Sequence, residues 1–252
     1  MVGALVRLGR CVGAATRFAA AVVVWCMVLS ASPATADEDD DAHLMLFSGR
    51  DLWRNGVFLY GGMIGSPGGF DESGLLLKLL YSGGLYRYSA GDLGGDTVIG
   101  AEGLVHVAPG WMVKRGRFEG KFFFGPEWQR NVLWPDDPGN RLRGHSFGLR
   151  MSFELWDEPT ALTMIAADGS LSSIGGNYSA RIGVGIRTFD LFYVGPESQV
   201  YGGDGYRQFR LGAHITSMKT DTVEWSAAFG WSIDTDMQSS PYVRLGVMQR
   251  VN

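Results

Sequence analysis

The sequence predicts an all-β protein, a single transmembrane antiparallel β-barrel of about 12 strands preceded by a cleavable signal peptide. Three observations predict it. After residue 42 the chain runs in segments of about 10–15 residues that alternate apolar and polar positions. The breaks between these segments are alternately short and long, a rhythm that a soluble sandwich does not require but a barrel crossing an outer membrane does. The first 36 residues have the layout of an export signal.

At the N-terminus, Arg7, Arg10 and Arg17 give a positive region, and Phe18 to Leu29 is an unbroken apolar run of 12 residues. That run is too short to cross a bilayer as a helix. Ala34-Thr35-Ala36 places small residues where a signal peptidase reads them, so residues 1–36 are predicted to be removed after Ala36. Residues 37–42 form an acidic tail, and the barrel is predicted over 43–252. Both cysteines, Cys11 and Cys26, fall in the removed segment, which leaves no disulfide, thiolate nucleophile or Cys-based metal site. Processing leaves 19 basic against 26 acidic residues, a formal charge of −7. That balance, without a basic stripe, speaks against nucleic acid as a partner.

Strands are predicted near 43–52, 57–66, 73–89, 97–112, 117–130, 143–157, 160–170, 176–187, 189–201, 206–217, 222–233 and 240–250. The first connection, Trp53 to Gly56, carries an Asn-Gly hairpin signal. Ten strands follow instead if the segments before residue 66 do not form a hairpin. Tight turns are expected at Pro67–Phe70, Lys114–Gly116, Glu158-Pro159, Thr188–Asp190 and Lys219–Asp221. Longer connections are expected at Ala90–Asp96, Val132–Gly144, Asp168–Asn177, Tyr201–Gly205 and Asp234–Ser240. With periplasmic termini, all the long connections lie outside the cell, which places the protein in the Gram-negative outer membrane with lipid around its outer wall.

The alternation also assigns faces. Trp225, Ala227, Phe229, Trp231 and Ile233 share one face, as do Phe147, Leu149, Met151, Phe153 and Leu155, then Tyr178, Ala180, Ile182, Val184 and Ile186, then Val243, Leu245 and Val247. A charge facing lipid near mid-bilayer costs about 2–4 kcal/mol, so the opposite, charged faces must line the lumen. They supply Glu102, Glu119, Lys121, Glu127, Arg150, Glu154, Arg181, Glu197, Arg210, His214, Glu224 and Arg244. The signs are nearly balanced. Two roles are open to them: a network of ion pairs that fills a narrow barrel, or a polar channel that contacts a hydrophilic solute such as a glycan. The leucine-rich stretch Leu75 to Leu80 breaks the alternation and assigns no face.

Catalytic and metal signals are weak. Gly144-His145-Ser146-Phe147-Gly148 matches a nucleophile elbow, but that motif needs a strand-to-helix turn and here a strand follows. His145 and Ser146, adjacent on a strand, also face opposite ways. A carboxylate pair for glycoside cleavage needs only a defined separation, so a barrel hydrolase acting on glycan or lipid stands as the alternative to a non-enzymatic barrel. His43, His106, His145 and His214 show no metal-ligand spacing, and no cofactor-binding loop occurs.

The loop Val132–Gly144 is the most distinctive. Trp134 flanked by Asp136, Asp137, Asn140, Arg141 and Arg143 forms a candidate platform for sugar stacking and hydroxyl recognition, while Arg141 and Arg143 pinning Asp136 and Asp137 would be its structural role.

Over residues 44–250 the chain resembles the bacterial cellulose biosynthesis protein family BcsS. The likeness is carried by Phe47-x-Gly49-x-Asp51-Leu52-Trp53, Tyr60-Gly61-Gly62, Pro135-Asp136-Asp137-Pro138-Gly139-Asn140-Arg141-Leu142-Arg143-Gly144, Tyr178-Ser179-Ala180-Arg181, Gly195-Pro196-Glu197 and Tyr206-Arg207-Gln208-Phe209-Arg210. The resemblance implies a proteobacterial outer-membrane protein linked to cellulose production or secretion, with cellulose or the components that secrete it as partners. It brings no catalytic residues.

Overall fold

The computed structural model describes residues 42–235 and 237–251. The predicted signal peptide and the acidic run Asp37–Asp41 lie outside the described residues. Twelve strands occur among those described: β1 Leu44–Trp53, β2 Gly56–Gly65, β3 Gly74–Ala90, β4 Asp96–Arg115, β5 Phe118–Trp134, β6 Gly144–Thr160, β7 Thr163–Ser172, β8 Tyr178–Thr188, β9 Phe192–Gly203, β10 Tyr206–Thr220, β11 Val223–Asp234 and β12 Ser239–Val251. Each pairs antiparallel with its neighbours in the chain, and β1 pairs with β12 from Leu44↔Val251 to Trp53↔Tyr242, which closes the barrel. The hairpin β1–β2 is fully paired, so the count is twelve and not ten. A closed ladder leaves no edge of unsatisfied backbone, the condition for crossing hydrocarbon with strands.

The alternation sorts side chains as the pleat requires. Leu149, Phe153, Leu155, Ile182, Val184, Ile186, Trp225, Phe229, Trp231, Val243 and Leu245 are all exposed on the outer wall. The leucine run resolves in the same way: Leu75 and Leu77 face out, while Leu76 and Lys78 are buried inside.

Several connections differ from expectation. The ladder runs past the membrane in β3 to β6, which are 17, 20, 17 and 17 residues long against the roughly 9–11 needed to span. The loop expected over Val132–Gly144 is therefore shortened to 135–143, and Glu158-Pro159 lies within β6 beside a register shift between Asp157 and Thr160. Proline has no backbone N–H, and the irregularity spares the ladder a missing bond. Asp168 sits inside β7, with the connection moved to 173–177. The expected long connection at Tyr201–Gly205 is a tight turn at Asp204-Gly205, with φ of 40° and 86°. Positive φ at both positions is what a two-residue hairpin turn demands, and Asp-Gly supplies it. In the opposite direction, the tight turn expected at Pro67–Phe70 belongs to the longer segment 66–73, which tucks Phe70 inside the barrel at 1% exposure.

The end of the barrel that carries the termini holds an apolar cluster inside. Ala42, Met45, Ile64, Phe70, Leu76, Ala108, Met112 and Phe123 form a buried cluster there, with Phe47 and Met248 packed against it. Lys114 Nζ fixes the 66–73 segment by donating to the Phe70 carbonyl at 2.7 Å and to Asp71 at 2.8 Å.

Some wall contacts leave no room for a side chain. A Cβ on Gly195 would lie 2.0 Å from the Val184 carbonyl oxygen and 3.0 Å from Gly185 Cα, whereas one on Gly65 would meet nothing within 4 Å. Gly195→Ala should lower stability by about 1–3 kcal/mol and Gly65→Ala should not, as read by thermal melting and by the heat-modifiable gel mobility of folded barrels.

Candidate functional site

The barrel encloses a cavity of about 1410 Å³ whose lining runs from Arg250, Lys219 and Glu158 at the termini end to Asn140, Asp204 and Thr235 at the other. Its middle is crossed by ion pairs. Lys78 Nζ on β3 meets Glu154 on β6 at 2.5 Å, and Arg244 on β12 meets Glu197 on β9 at 2.5 Å. Arg210 on β10 meets Asp51 on β1 at 2.7 Å. Each of these pairs joins strands with two others between them, so it is a chord across the lumen and not a wall contact. Arg250 on β12 reaches Glu119 on β5 at 4.0 Å with four strands between.

The remaining sequence-predicted lumen charges join the same network locally. Lys121 pairs with Glu119 at 2.6 Å, and Arg181 with Asp168 at 2.5 Å and Glu197 at 3.8 Å. Arg150 donates to Glu127 and, at 2.8 Å, to Ser170. Glu224 accepts from Ser217 at 3.0 Å and Glu102 from Gln129 at 3.0 Å. Lys78, Asp51 and Asp168 are lumen residues that sequence reasoning missed. Lys78 is hidden in the leucine run, Asp168 falls in an expected loop, and Asp51 enters only through the family motif, which gives no sign of its partner.

Arg210 is the most enclosed of the paired cations among the described residues, with 1% of its side chain exposed. Its guanidinium lies 5.0 Å from the Trp53 ring, 4.7 Å from Tyr201 and 4.9 Å from Tyr242, a cage in which cation–π attraction replaces lost hydration. Its Nε donates to Gln208 at 2.7 Å, and one terminal nitrogen reaches both Asp51 oxygens at 2.7 and 2.9 Å. This cluster closes toward the mouth opposite the termini.

Beyond it the loop 135–143 folds back on the tall wall of β3. Tyr88 donates its hydroxyl hydrogen to Asp137 at 2.6 Å and accepts from Asn140 Nδ2 at 2.9 Å. Asp137 also accepts from the Gly139 amide at 3.1 Å, and Asn140 Oδ1 from Leu142 at 2.9 Å. Asp136 pairs with Arg143 at 2.7 Å, with both side chains about half exposed, and Arg141 is exposed. Trp134 stands apart from them. It is the last residue of β5, 50% exposed, on the outward face shared with Phe122, Phe124 and Val132. The structure thus brings Asp137 and Asn140 to the lumen rim and sends Trp134 to the outer wall, where it fits an aromatic girdle.

His145 stacks on Trp128 with ring centroids 5.7 Å apart, on the face opposite Ser146. His214 has Nδ1 2.8 Å from Thr216 Oγ1 and Nε2 3.1 Å from the Val184 carbonyl. No group of three or more His, Cys, Asp or Glu side chains suited to a metal occurs among the described residues.

Removing one partner of the caged pair strands a buried charge. Arg210→Met should lower stability by about 3–5 kcal/mol. Adding Asp51→Asn to it should recover part of that loss, and a thermal-melting double-mutant cycle measures the coupling.

In comparisons with known proteins, the chain is similar in structure to the KdgM porin (TM-score 0.43, 9% identity, 82% of this chain and 99% of that one). LpxR from Salmonella typhimurium gives 0.43 at 10% identity, covering 81% and 99%. The translocator domain of the autotransporter NalP from Neisseria meningitidis gives 0.45 at 12% identity, covering 94% and 98%. No curated protein matches. The family model for cellulose biosynthesis protein BcsS matches residues 45–251, the whole barrel just described. An outer-membrane-type barrel of twelve strands with an ion-paired lumen, the chain belongs to the BcsS family of cellulose biosynthesis proteins.

Proposed function

We propose that this barrel assists cellulose production without catalysing a reaction, as a fixture of the outer membrane that passes or holds glucan at the cell surface. One observation carries this role: the lumen is a polar cavity most of whose charges are paired with one another across it. Mutually paired charges suit a neutral, hydroxyl-rich polymer better than an ionic substrate, which would have to break those pairs to bind. The partners follow from the same role: lipid around the outer wall, and cellulose or its secretion components at the mouths. Processing after Ala36 would deliver the chain to the membrane with Asp37 as its first residue.

Deleting the gene should reduce the cellulose retained at the surface or alter fibre architecture, and the intact gene should restore it. Unchanged output and architecture would remove the proposed role. The chord pairs also predict a narrow lumen. In planar bilayers the wild-type barrel should carry small currents, and Lys78→Ala combined with Arg250→Ala should enlarge them; equal currents would mean that these pairs do not set the bore.

A further inference from the structure

On the inner wall next to the Arg210 cage, four aromatic rings form a row from the lumen to the rim. Trp53, Phe58, Tyr86 and Tyr88 follow one another with centroids 5.6, 6.5 and 6.1 Å apart and planes tilted by only 17°, 22° and 21°. Near-parallel rings at that separation are offset sideways and do not cover each other. All four line the cavity.

Glycines explain how the rings lie. A Cβ on Gly56 would come 2.6 Å from the Trp53 ring, one on Gly84 2.5 Å from Phe58 and one on Gly100 2.3 Å from Tyr86. Each of these three rings therefore rests over a glycine of the next strand, on β2, β3 and β4 in turn. The missing side chain lets the ring lie low against the wall; Trp53 gives its other side to Arg210, while Phe58 and Tyr86 turn theirs to the cavity. Polar groups border the row. Tyr86 donates to Asn131 at 3.2 Å, Tyr88 is held between Asp137 and Asn140, and Asp51 with Arg210 closes the inner end.

We infer that this row is a binding track for an extended, uncharged β-glucan. A β-linked glucose ring has equatorial hydroxyls, so its two faces present C–H groups and its edges present hydroxyls. Flat aromatic surfaces suit the faces, and flanking amides and carboxylates suit the edges. Ring centres about 6 Å apart match the scale of one sugar ring, so successive rings can meet successive sugars. Arg210 at the inner end is already paired with Asp51, and Asp137 at the rim adds a carboxylate bonded only to neutral donors, so the track favours a neutral chain over a polyanion. The inference rests on the role in cellulose production proposed above. It moves recognition from Trp134 on the outer wall to the lumen.

The test uses the full barrel in detergent, with cellohexaose as ligand and an oligogalacturonate of equal length as the anionic control, read by calorimetry and Trp fluorescence. Cellohexaose should bind and the anion should not. Tyr86→Ala and Phe58→Ala should each weaken binding about five- to tenfold. Tyr86→Phe, which keeps the ring, should stay within about twofold of wild type, and Trp134→Ala should change nothing. Heat-modifiable mobility confirms folding; if Tyr86→Ala does not fold, Tyr88→Ala at the rim replaces it. No cellohexaose binding by the wild type, folded alanine variants that bind at full strength, equal binding of the anion, or equal loss in Tyr86→Phe would each overturn the track. Failure of the track is separable from failure of the cellular role. A Phe58→Ala, Tyr86→Ala gene that fully restores surface cellulose to the deletion strain would discard the track and keep the barrel's role. A deletion strain with unchanged cellulose would discard the role, whatever the barrel binds in detergent.

Discussion

The structure depends on one constraint: in hydrocarbon, every backbone N–H and C=O must be bonded within the wall itself. Closure of β1 on β12 meets it by removing the last free edge. Once the wall is a closed ladder, the pleat leaves each side chain only two destinations, lipid or lumen. Charge then has only one of them, because a lysine or arginine at mid-bilayer on the outer wall costs about 2–4 kcal/mol. The crowd of arginines, lysines and carboxylates inside is thus a consequence of closure, before any question of function arises.

The same confinement shapes the lumen along its length. At the termini end, Phe70 and Met45 join the wall residues Ile64, Leu76, Met112 and Phe123 in an apolar cluster that needs no polar partners. In the middle, charges from strands that are not neighbours meet as chords, which brace the cylinder as well as neutralise it. At the far end, Arg210 is held by rings as much as by Asp51. Removing such an arginine would cost more than it contributes as a pair, since the isolated carboxylate would be left behind.

Much of this was legible in the sequence because a period of two is a strong signal. The twelve strands, the outward rows on β6, β8, β11 and β12, and the family likeness all came from pattern alone. What was not legible came from residues whose role depends on a partner far along the chain. Lys78 lies inside five leucines, and only the barrel's closure shows that it faces Glu154, 76 residues away. Asp51 and Arg210 are 159 residues apart. Strand ends also escaped, because ladders that rise above the membrane use polar residues, which read as loop. That is why Trp134 looked like part of a recognition loop and proved to be the outward end of β5. The aromatic row did leave a trace: Gly84 and Gly100 are glycines in strand context, where a glycine marks a close approach.

Taken together, these features give the barrel a direction. The termini end is packed with hydrocarbon side chains, and the opposite end carries the tall wall of β3 to β6, the loop 135–143 and the aromatic row. A cylinder needed only to span a membrane has no use for that asymmetry. The extended wall places Tyr86 level with the start of β2, opposite Gly56, and Tyr88 beyond it. Tyr88 is then tied to the loop that crowns the same wall. The extra strand length therefore serves to carry the ring surface from inside the lumen out to the rim. A ligand long enough to use Phe58, Tyr86 and Tyr88 would lie partly inside the barrel and partly outside it, which is the arrangement expected of a surface that receives or holds a polymer end.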